Sequence, residues 1–324
     1  MNTLEKHAKQ YTENSEWSIK TNNDYFEYTF DLPEGTSKSV IYNIFPGIQL
    51  IFFDIHAKTL PADPNSYVTL NICQFNYCIS GRIESLLDDN TYLYMTENNW
   101  SISRQDAGSA SYFPTNSYQG INIFFDMHLL CNSDDSVLTA FGLDFSKLAE
   151  IYFKKRDTFL SEANQELKII IEKIWGIFDA PSIFYARLYT LEFLHLFLSD
   201  QISGKGNITF YPRIQVDIAK KAEQLLTADL SKHIPIRQLA EQLSVSETSL
   251  KNYFKSVYGQ NISDYMSSLR MNTASHLLIE STLSVAEIAN RVGYTKQGKF
   301  AAVFKKQFGL NPLAYRRNAC LEKL

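Results

Sequence analysis

The segments IRQLAEQLSVSETSLKNYFKSVYGQNISDY (236–265) and VAEIANRVGYTKQGKFAAVFKKQFGLNPLAY (285–315) are two versions of one unit. Phe254 aligns with Phe304, Lys255 with Lys305, Gly259 with Gly309, Asn261 with Asn311 and Tyr265 with Tyr315, all 50 residues apart. Leu239-Ala240 aligns with Ile288-Ala289 at a separation of 49, so the second copy has gained one residue between its halves. Each copy reads as a short helix, a tight turn and a second helix. Two such units in tandem predict a protein that grips successive faces of a DNA duplex.

The first helix of each unit carries an apolar pair that wedges against the second, Leu239 with Leu243 and Ile288 with Val292. The turns are Ser244-Val245-Ser246 and Gly293-Tyr294-Thr295, and glycine can supply a positive φ there. Ser246 and Thr295 are the expected caps of the second helices. On the first of these helices, Leu250, Tyr253, Phe254 and Val257 are expected to point inward. Ser246, Glu247, Thr248, Ser249, Lys251, Asn252 and Lys255 are then left for DNA. On its counterpart Phe300, Val303, Phe304 and Phe308 point inward, leaving Thr295, Lys296, Gln297, Gly298, Lys299, Ala301 and Lys305. Gln and Asn pair bidentately with adenine edges, and Lys donates to guanine or to phosphate. Gly298 and Ala301 would let their helix lie close to the bases. A connecting helix over 262–280 would fix the spacing of the two readers, with half-sites about 10 bp apart. Its Arg270 either contacts DNA or bonds across to the second unit.

Charge divides along the same line. Residues 1–211 carry 15 Lys+Arg and 26 Asp+Glu, or −11; residues 212–324 carry 16 and 9, or +7; the sum is the −4 of the whole chain. The back of the chain is drawn to phosphates and the front is not. At 324 residues the chain is too long for one small core, and two or three domains are expected. No apolar run approaches the ~18 residues of a membrane span. The N-terminus lacks the apolar core of a secretory signal, and cytoplasmic residence is the expectation. Cys73, Cys78, Cys131 and Cys320 complete no zinc spacing and read as free thiols. No metal and no cofactor are expected.

The front half reads as β followed by α. Segments 48–57, 67–83, 90–97 and 118–130 are rich in β-branched and aromatic residues and read as strands. Breaks fall at Pro46-Gly47, at Gly81 and over 114–116. Short, regular strands predict an antiparallel barrel or sandwich. Residues 161–180 place Leu167, Ile170, Ile171, Ile174, Trp175 and Phe178 at helical spacing, with Ser161 as a plausible N-cap. Pro181 opens a second helix with a wide apolar stripe, suited to the barrel and to a second subunit, or simply to burial. The resulting division is a sensor barrel over 1–135, a helical hairpin over 136–203, a linker over 204–212 and the basic domain over 213–324.

IRQLAEQLSVSETSLKNYFK, LRMNTASHLL and LSVAEIANRVGYTKQGKFAAVFKKQFGLNPLAYRR together resemble the DNA-binding domain of the AraC/XylS family of transcription regulators, over about a third of the chain. Gln297, Lys299, Phe300 and Ala301 match the Q-x-K-F-A segment of its siderophore-responsive, pyochelin-regulator-like subgroup. The sequence departs at Asn252 and Ala302, where many members carry Arg, and Lys251 or Lys305 would replace that backbone contact. The resemblance implies a multidomain α+β chain with a cupin-like barrel, dimerising helices and two helix-turn-helix units joined by a long helix. It implies an effector-responsive regulator, acting as an activator, as a homodimer, on promoter DNA and RNA polymerase. The effector would be a small molecule such as a siderophore or a sugar.

Within the sensor, Arg82 and Arg104 are candidate partners for an anionic effector, with Trp100, His56 and His128 beside them. FFDIH (52–56) and FFDMH (124–128) are near-copies. On paired strands they would bring two Asp and two His together as metal ligands, or merely alternate aromatic-in with polar-out. No nucleophile elbow, P-loop or dinucleotide fingerprint occurs. The rival to a regulator is a DNA-modifying or repair enzyme that borrows the helix-turn-helix as its reader.

Overall fold

The computed structural model describes residues 17–22, 24–32, 35–60, 72–86, 90–104, 111–132, 136–154, 157–202 and 209–321. The linker glycines Gly204 and Gly206 lie outside them, as does the side chain of Cys320. Two compact units divide between Phe210 and Tyr211.

The first unit is built on β1 (Trp17–Thr21), β2 (Tyr25–Leu32), β3 (Gly35–Phe45), β4 (Ile48–Ile55), β5 (Thr59–Leu60), β6 (Ile72–Leu86), β7 (Thr91–Thr96), β8 (Asn99–Arg104), β9 (Ser111–Tyr112), β10 (Tyr118–Asp126) and β11 (Thr158–Glu162). A large antiparallel sheet runs β1-β2-β3-β4-β10-β6 and continues through β8 to β11. The far end of β6 leaves it, pairing Arg82–Leu86 with β7 and Glu84 with β9, which in turn holds β5. Gly81 therefore does not end a strand, as its composition suggests. It bends one strand between two sheets, with φ +81 and a β-bulge beside it at Gln119/Gly120. A Cβ at Gly81 would stand 2.2 Å from the Ser117 carbonyl oxygen.

Alternation sorts the large sheet into two faces. Leu50, Phe52, Phe75, Trp100, Ile121 and Ile123 join one core with two helices, α4 and α5 below. Before these come three short helices, α1 (Met127–Asn132), α2 (Ser136–Ala140) and α3 (Leu148–Tyr152). Helix α4 (Gln165–Asp179) buries Leu167, Ile170, Ile171 and Ile174, the i, i+3, i+4, i+7 set read from sequence. Helix α5 (Ile183–Leu198) seats Phe193 4.7 Å from Phe75 between ring centroids. The caps differ from expectation. Ser161 lies within β11, and Asn164 caps α4; Ser182, one residue past Pro181, caps α5.

From Arg213 onward the described part of the second unit is helical: α6 (Arg213–Thr227), α7 (Ile236–Gln242), α8 (Glu247–Tyr258), α9 (Ile262–Glu280), α10 (Val285–Arg291), α11 (Gln297–Phe308) and α12 (Pro312–Leu321). Helix α9 serves two cores. Its first turns bury Ile262, Tyr265 and Met266; its later turns bury Met271, Ala274 and Leu278 with Ile288, Phe300 and Phe304 of the second copy. One rigid element of about 28 Å thereby sets the spacing of the two copies.

Gly81→Ala should cost ~3 kcal/mol or more, since backbone must move. Gly142→Ala, at φ +68 with nothing within 4 Å of an added Cβ, should cost only ~1–2 kcal/mol. Urea unfolding of the two variants checks the order; equal losses would contradict the role given to Gly81.

Candidate nucleic-acid interface

Each outward helix is held from behind by three rings. In the first copy Phe254, Tyr258 and Tyr265 meet at centroid distances of 4.4, 5.3 and 4.8 Å. In the second, Phe304, Phe308 and Tyr315 meet at 4.6, 5.3 and 5.3 Å. The edge-on pair recurs as Phe254–Tyr265 at 79° and Phe304–Tyr315 at 82°. Both helices then stop at a left-handed glycine, Gly259 at φ 75 and Gly309 at φ 76. The helices that follow are capped alike, Asn261 accepting from the Asp264 amide and Asn311 from that of Ala314. The 50-residue echo is thus a repeated ring lock, stop and restart.

The turns also match. Ser244 takes φ 56 where Gly293 takes φ 84. A Cβ at Gly293 would stand 2.5 Å from the Leu230 carbonyl oxygen, so only this copy demands glycine.

With the apolar sides buried, Ser246, Glu247, Thr248, Lys251, Asn252 and Lys255 are exposed on α8 and Ser249 is half-buried. On α11 and the turn before it, Thr295, Lys296, Gln297, Gly298, Lys299 and Lys305 are exposed, and Ala301 is half-buried. Gly298 has open space around it. Two details depart from expectation. Tyr258 rather than Tyr253 fills the inner side of α8, because the ring lock needs it; Tyr253 is half-buried. Thr295 does not cap α11, since the cap position is Lys296 and makes no side-chain bond. Ser246 does cap α8, accepting from the Ser249 amide at 3.1 Å.

The two faces differ in charge. On α8, Lys251 lies 3.4 Å from Glu247 one turn back, so part of its field is already answered. Residues 295–309 contain no acidic side chain, and Lys296, Lys299, Lys305 and Lys306 all stand exposed.

Arg270 sits on neither outward face. Its guanidinium donates to the Leu230 carbonyl at 3.2 Å and to that of Lys232 at 2.8 Å, tying down the loop before α7. It reaches the second copy as well, since a Cβ at Gly293 would touch it at 3.2 Å. Arg316, which the repeat does not single out, holds the loop before α10 in the same manner. It donates to Leu278 at 2.9 Å and Leu283 at 2.7 Å. The two arginines differ in their distance from the lock tyrosines, and alignment alone hides the kinship. A capping box of Ser284 and Glu287 completes α10, and its hydrogen bonds hold the Glu287 carboxyl below its ordinary range.

The effector-contact residues expected from sequence do not converge. Trp100 is fully buried in the helix-packed core, stacked on Phe75, with no surface to offer a ligand. Arg104 is exposed and paired with Asp157 at 3.3 Å, while Arg82 lies over the Tyr94 ring at the second sheet. His56 pairs with Asp54 at 3.2 Å. His128 is not on a strand, because β10 ends at Asp126 and α1 begins at once. β4 and β10 run antiparallel, with Asp54 opposite Gln119 and Ile48 opposite Phe125. The two FFD-His copies therefore finish at opposite ends, and no metal-holding cluster occurs among the described residues. Burial pushes the Cys73 thiol up to about 11 and that of Cys78 up to about 12, which leaves both un-ionised at neutral pH. No described helix is long and apolar enough to cross a membrane.

Comparison with known proteins meets this geometry. Residues 239–318, both copies, match a family described as a helix-turn-helix domain. The chain is 29% identical over 100 residues to the HTH-type transcriptional activator RhaR of Enterobacter sp. (strain 638), covering 30% of this chain and 36% of that one. It is 28% identical over 109 residues to the lactose operon transcription activator of Staphylococcus xylosus, covering 32% and 39%. Among solved structures, the C-terminal domain of AraT, a response regulator from Geobacillus stearothermophilus, is 34% identical over 31% of this chain and 84% of that one, with a TM-score of 0.30. The chain thus spans under two-fifths of the length of these two curated relatives. The duplicated region thus matches a helix-turn-helix domain, and both curated relatives are named as transcription activators.

Arg270→Ala should lower the stability of the second unit by ~2 kcal/mol, through two charge-assisted bonds to backbone. Arg316→Ala should do the same. Thermal unfolding checks both; an unchanged Arg270→Ala midpoint would remove the clamp.

Proposed function

We propose that this chain is a one-component, effector-responsive transcription regulator that binds promoter DNA through α8 and α11. The observation that carries the reading is the repeated ring lock. It turns one polar helix outward in each of two copies set on a common rigid helix, and one of those helices presents only positive charge. Lys296, Gln297 and Lys299 are suited to base edges or phosphates, as are Thr248, Lys251 and Asn252. Ala301 and Ser249 shape the close approach more than they contact. Arg270 is given the structural role, since its Nε and Nη2 each donate to a backbone carbonyl.

The first unit acts as the sensor. Effector binding shifts how the basic units are presented to DNA. Activation is favoured over repression because relatives are named activators. Homodimerisation, contact with RNA polymerase and cytoplasmic residence belong to the same reading. The exposed Phe184, Tyr185 and Leu188 of α5 support a dimer contact there. The Q-x-K-F-A likeness to siderophore-responsive regulators lies wholly on α11. It bears on operator kinship more than on the effector.

Lys299→Ala should weaken promoter binding by ~1–3 kcal/mol. Lys251→Ala should cost less, because Glu247 already holds that ammonium. Titration at several salt concentrations separates the roles. A phosphate contact lowers the salt slope by about 1, whereas a base contact changes sequence preference. Wild-type affinity in both variants would take these helices out of the groove.

A further inference from the structure

The two helix-turn-helix copies meet at a second place besides α9. The loop between α6 and α7 belongs to the first copy, and the turn at Gly293 belongs to the second. A Cβ on Gly293 would stand 2.5 Å from the Leu230 carbonyl oxygen and 3.2 Å from the guanidinium carbon of Arg270. Loop and guanidinium therefore both lie against bare backbone of the second copy. The same Leu230 carbonyl accepts from Arg270 Nε at 3.2 Å, and the Lys232 carbonyl accepts from Nη2 at 2.8 Å. One side chain on α9 is thus bonded to the loop of one copy and packed on the turn of the other. The loop it grips is firm in its own right. Ser231 donates its amide at 3.0 Å and its hydroxyl at 2.6 Å to the Asp229 carboxylate, and the Lys232 amide donates to the Asp229 carbonyl at 3.1 Å.

The repeat supplies its own comparison. Ser244 holds the place of Gly293 in the first copy at φ 56, and it is exposed. A positive φ alone therefore does not demand glycine in this turn; the loop pressed against it does. Arg316 grips Leu278 and Leu283 as Arg270 grips its loop, yet among the described residues no third copy follows for it to meet. The clamp recurs, and the contact across copies does not. A clamp is explained by the folding of one copy. A contact across the boundary bears on how the two copies are angled. The shared helix is a weak guarantee of that angle, because long helices bend gently. A bonded contact away from its axis removes the freedom. On DNA the angle matters, since each base pair added between half-sites turns one against the other by about 34° and moves it about 3.4 Å.

We infer that Arg270, with Leu230 and Gly293, is a brace that fixes the angle between α8 and α11 and so restricts the chain to one half-site spacing. Arg270 is a positioning residue, acting on DNA only through the two helices. The inference rests on the DNA-binding reading and adds to it what sets the spacing.

The test uses the full chain in two arms. In the first, spin labels at Asn252→Cys and Ala302→Cys, both exposed, report the distance between α8 and α11 without DNA, in a Cys131→Ser, Cys320→Ser background. The distance should be narrowly distributed in the parent and in Arg316→Ala, and broad in Arg270→Ala. In the second arm, unlabelled protein selects duplexes from a random-sequence pool, and the tightest is remade with 1 bp added or removed between its half-sites. The parent should lose about tenfold in affinity on either change, as should Arg316→Ala, whereas Arg270→Ala should bind the original duplex more weakly and lose no more than about twofold. Gly293→Ala should shift the preferred spacing. Gly309→Ala, at φ +76 with nothing within 4 Å of an added Cβ, carries similar backbone strain and should not. Arg270→Lys keeps the charge without the planar fork and decides the same point should Arg270→Ala fail to fold. An Arg270 variant that keeps the narrow distance or the tenfold loss overturns the inference, as does an Arg316→Ala protein that gives up either. Failure to select any duplex counts against DNA binding, and the distance arm then decides the brace by itself.

Discussion

Three rings behind each outward helix are the constraint from which the second unit follows. Phe254 and Phe304 are fully buried, each at the centre of its lock. Removing either would open a cavity worth ~3–5 kcal/mol, a large share of a small domain's stability. Because each lock occupies one side of its helix, the other side has nowhere to go but out. Outward polarity is therefore a consequence of packing, and a helix that is merely amphipathic would not be held to one rotation about its axis.

The locks fix rotation; α9 and the two arginines fix position. α9 feeds both cores from one continuous helix, so the copies cannot drift apart without breaking hydrogen bonds along it. Arg270 and Arg316 each bind two backbone carbonyls ahead of a first helix, which keeps that helix in place against its partner. Within this symmetric frame the charges are not symmetric. Glu247 answers Lys251 on α8, whereas residues 295–309 contain no carboxylate at all. In the proposed regulator this difference would set an affinity-bearing helix beside a more discriminating one.

Much of the second unit was legible because its period is intrinsic. Gly259 and Gly309, Asn261 and Asn311, and the lock residues all recur at 50, and each performs a local backbone or ring task that chemistry identifies. What stayed hidden depends on geometry without periodicity. Arg316 acts as Arg270 does from a different register, and Tyr258 outcompetes Tyr253 only because Tyr265 is there to meet it. The first unit was less readable. β4, β7 and both long helices follow from composition, but the strand read through 118–130 ends at Asp126, and Gly81 bends a strand instead of ending one. Arginines and a tryptophan look like ligand contacts in sequence, yet Trp100 is core and Arg104 is paired.

In the proposed regulator both outward helices of one chain enter DNA together, on one face of the duplex. Hydroxyl-radical footprinting of the second unit on its promoter tests this most directly. Two protected windows about 10 bp apart on the same face of the duplex are the predicted result. A single window, or two on opposite faces, would contradict it.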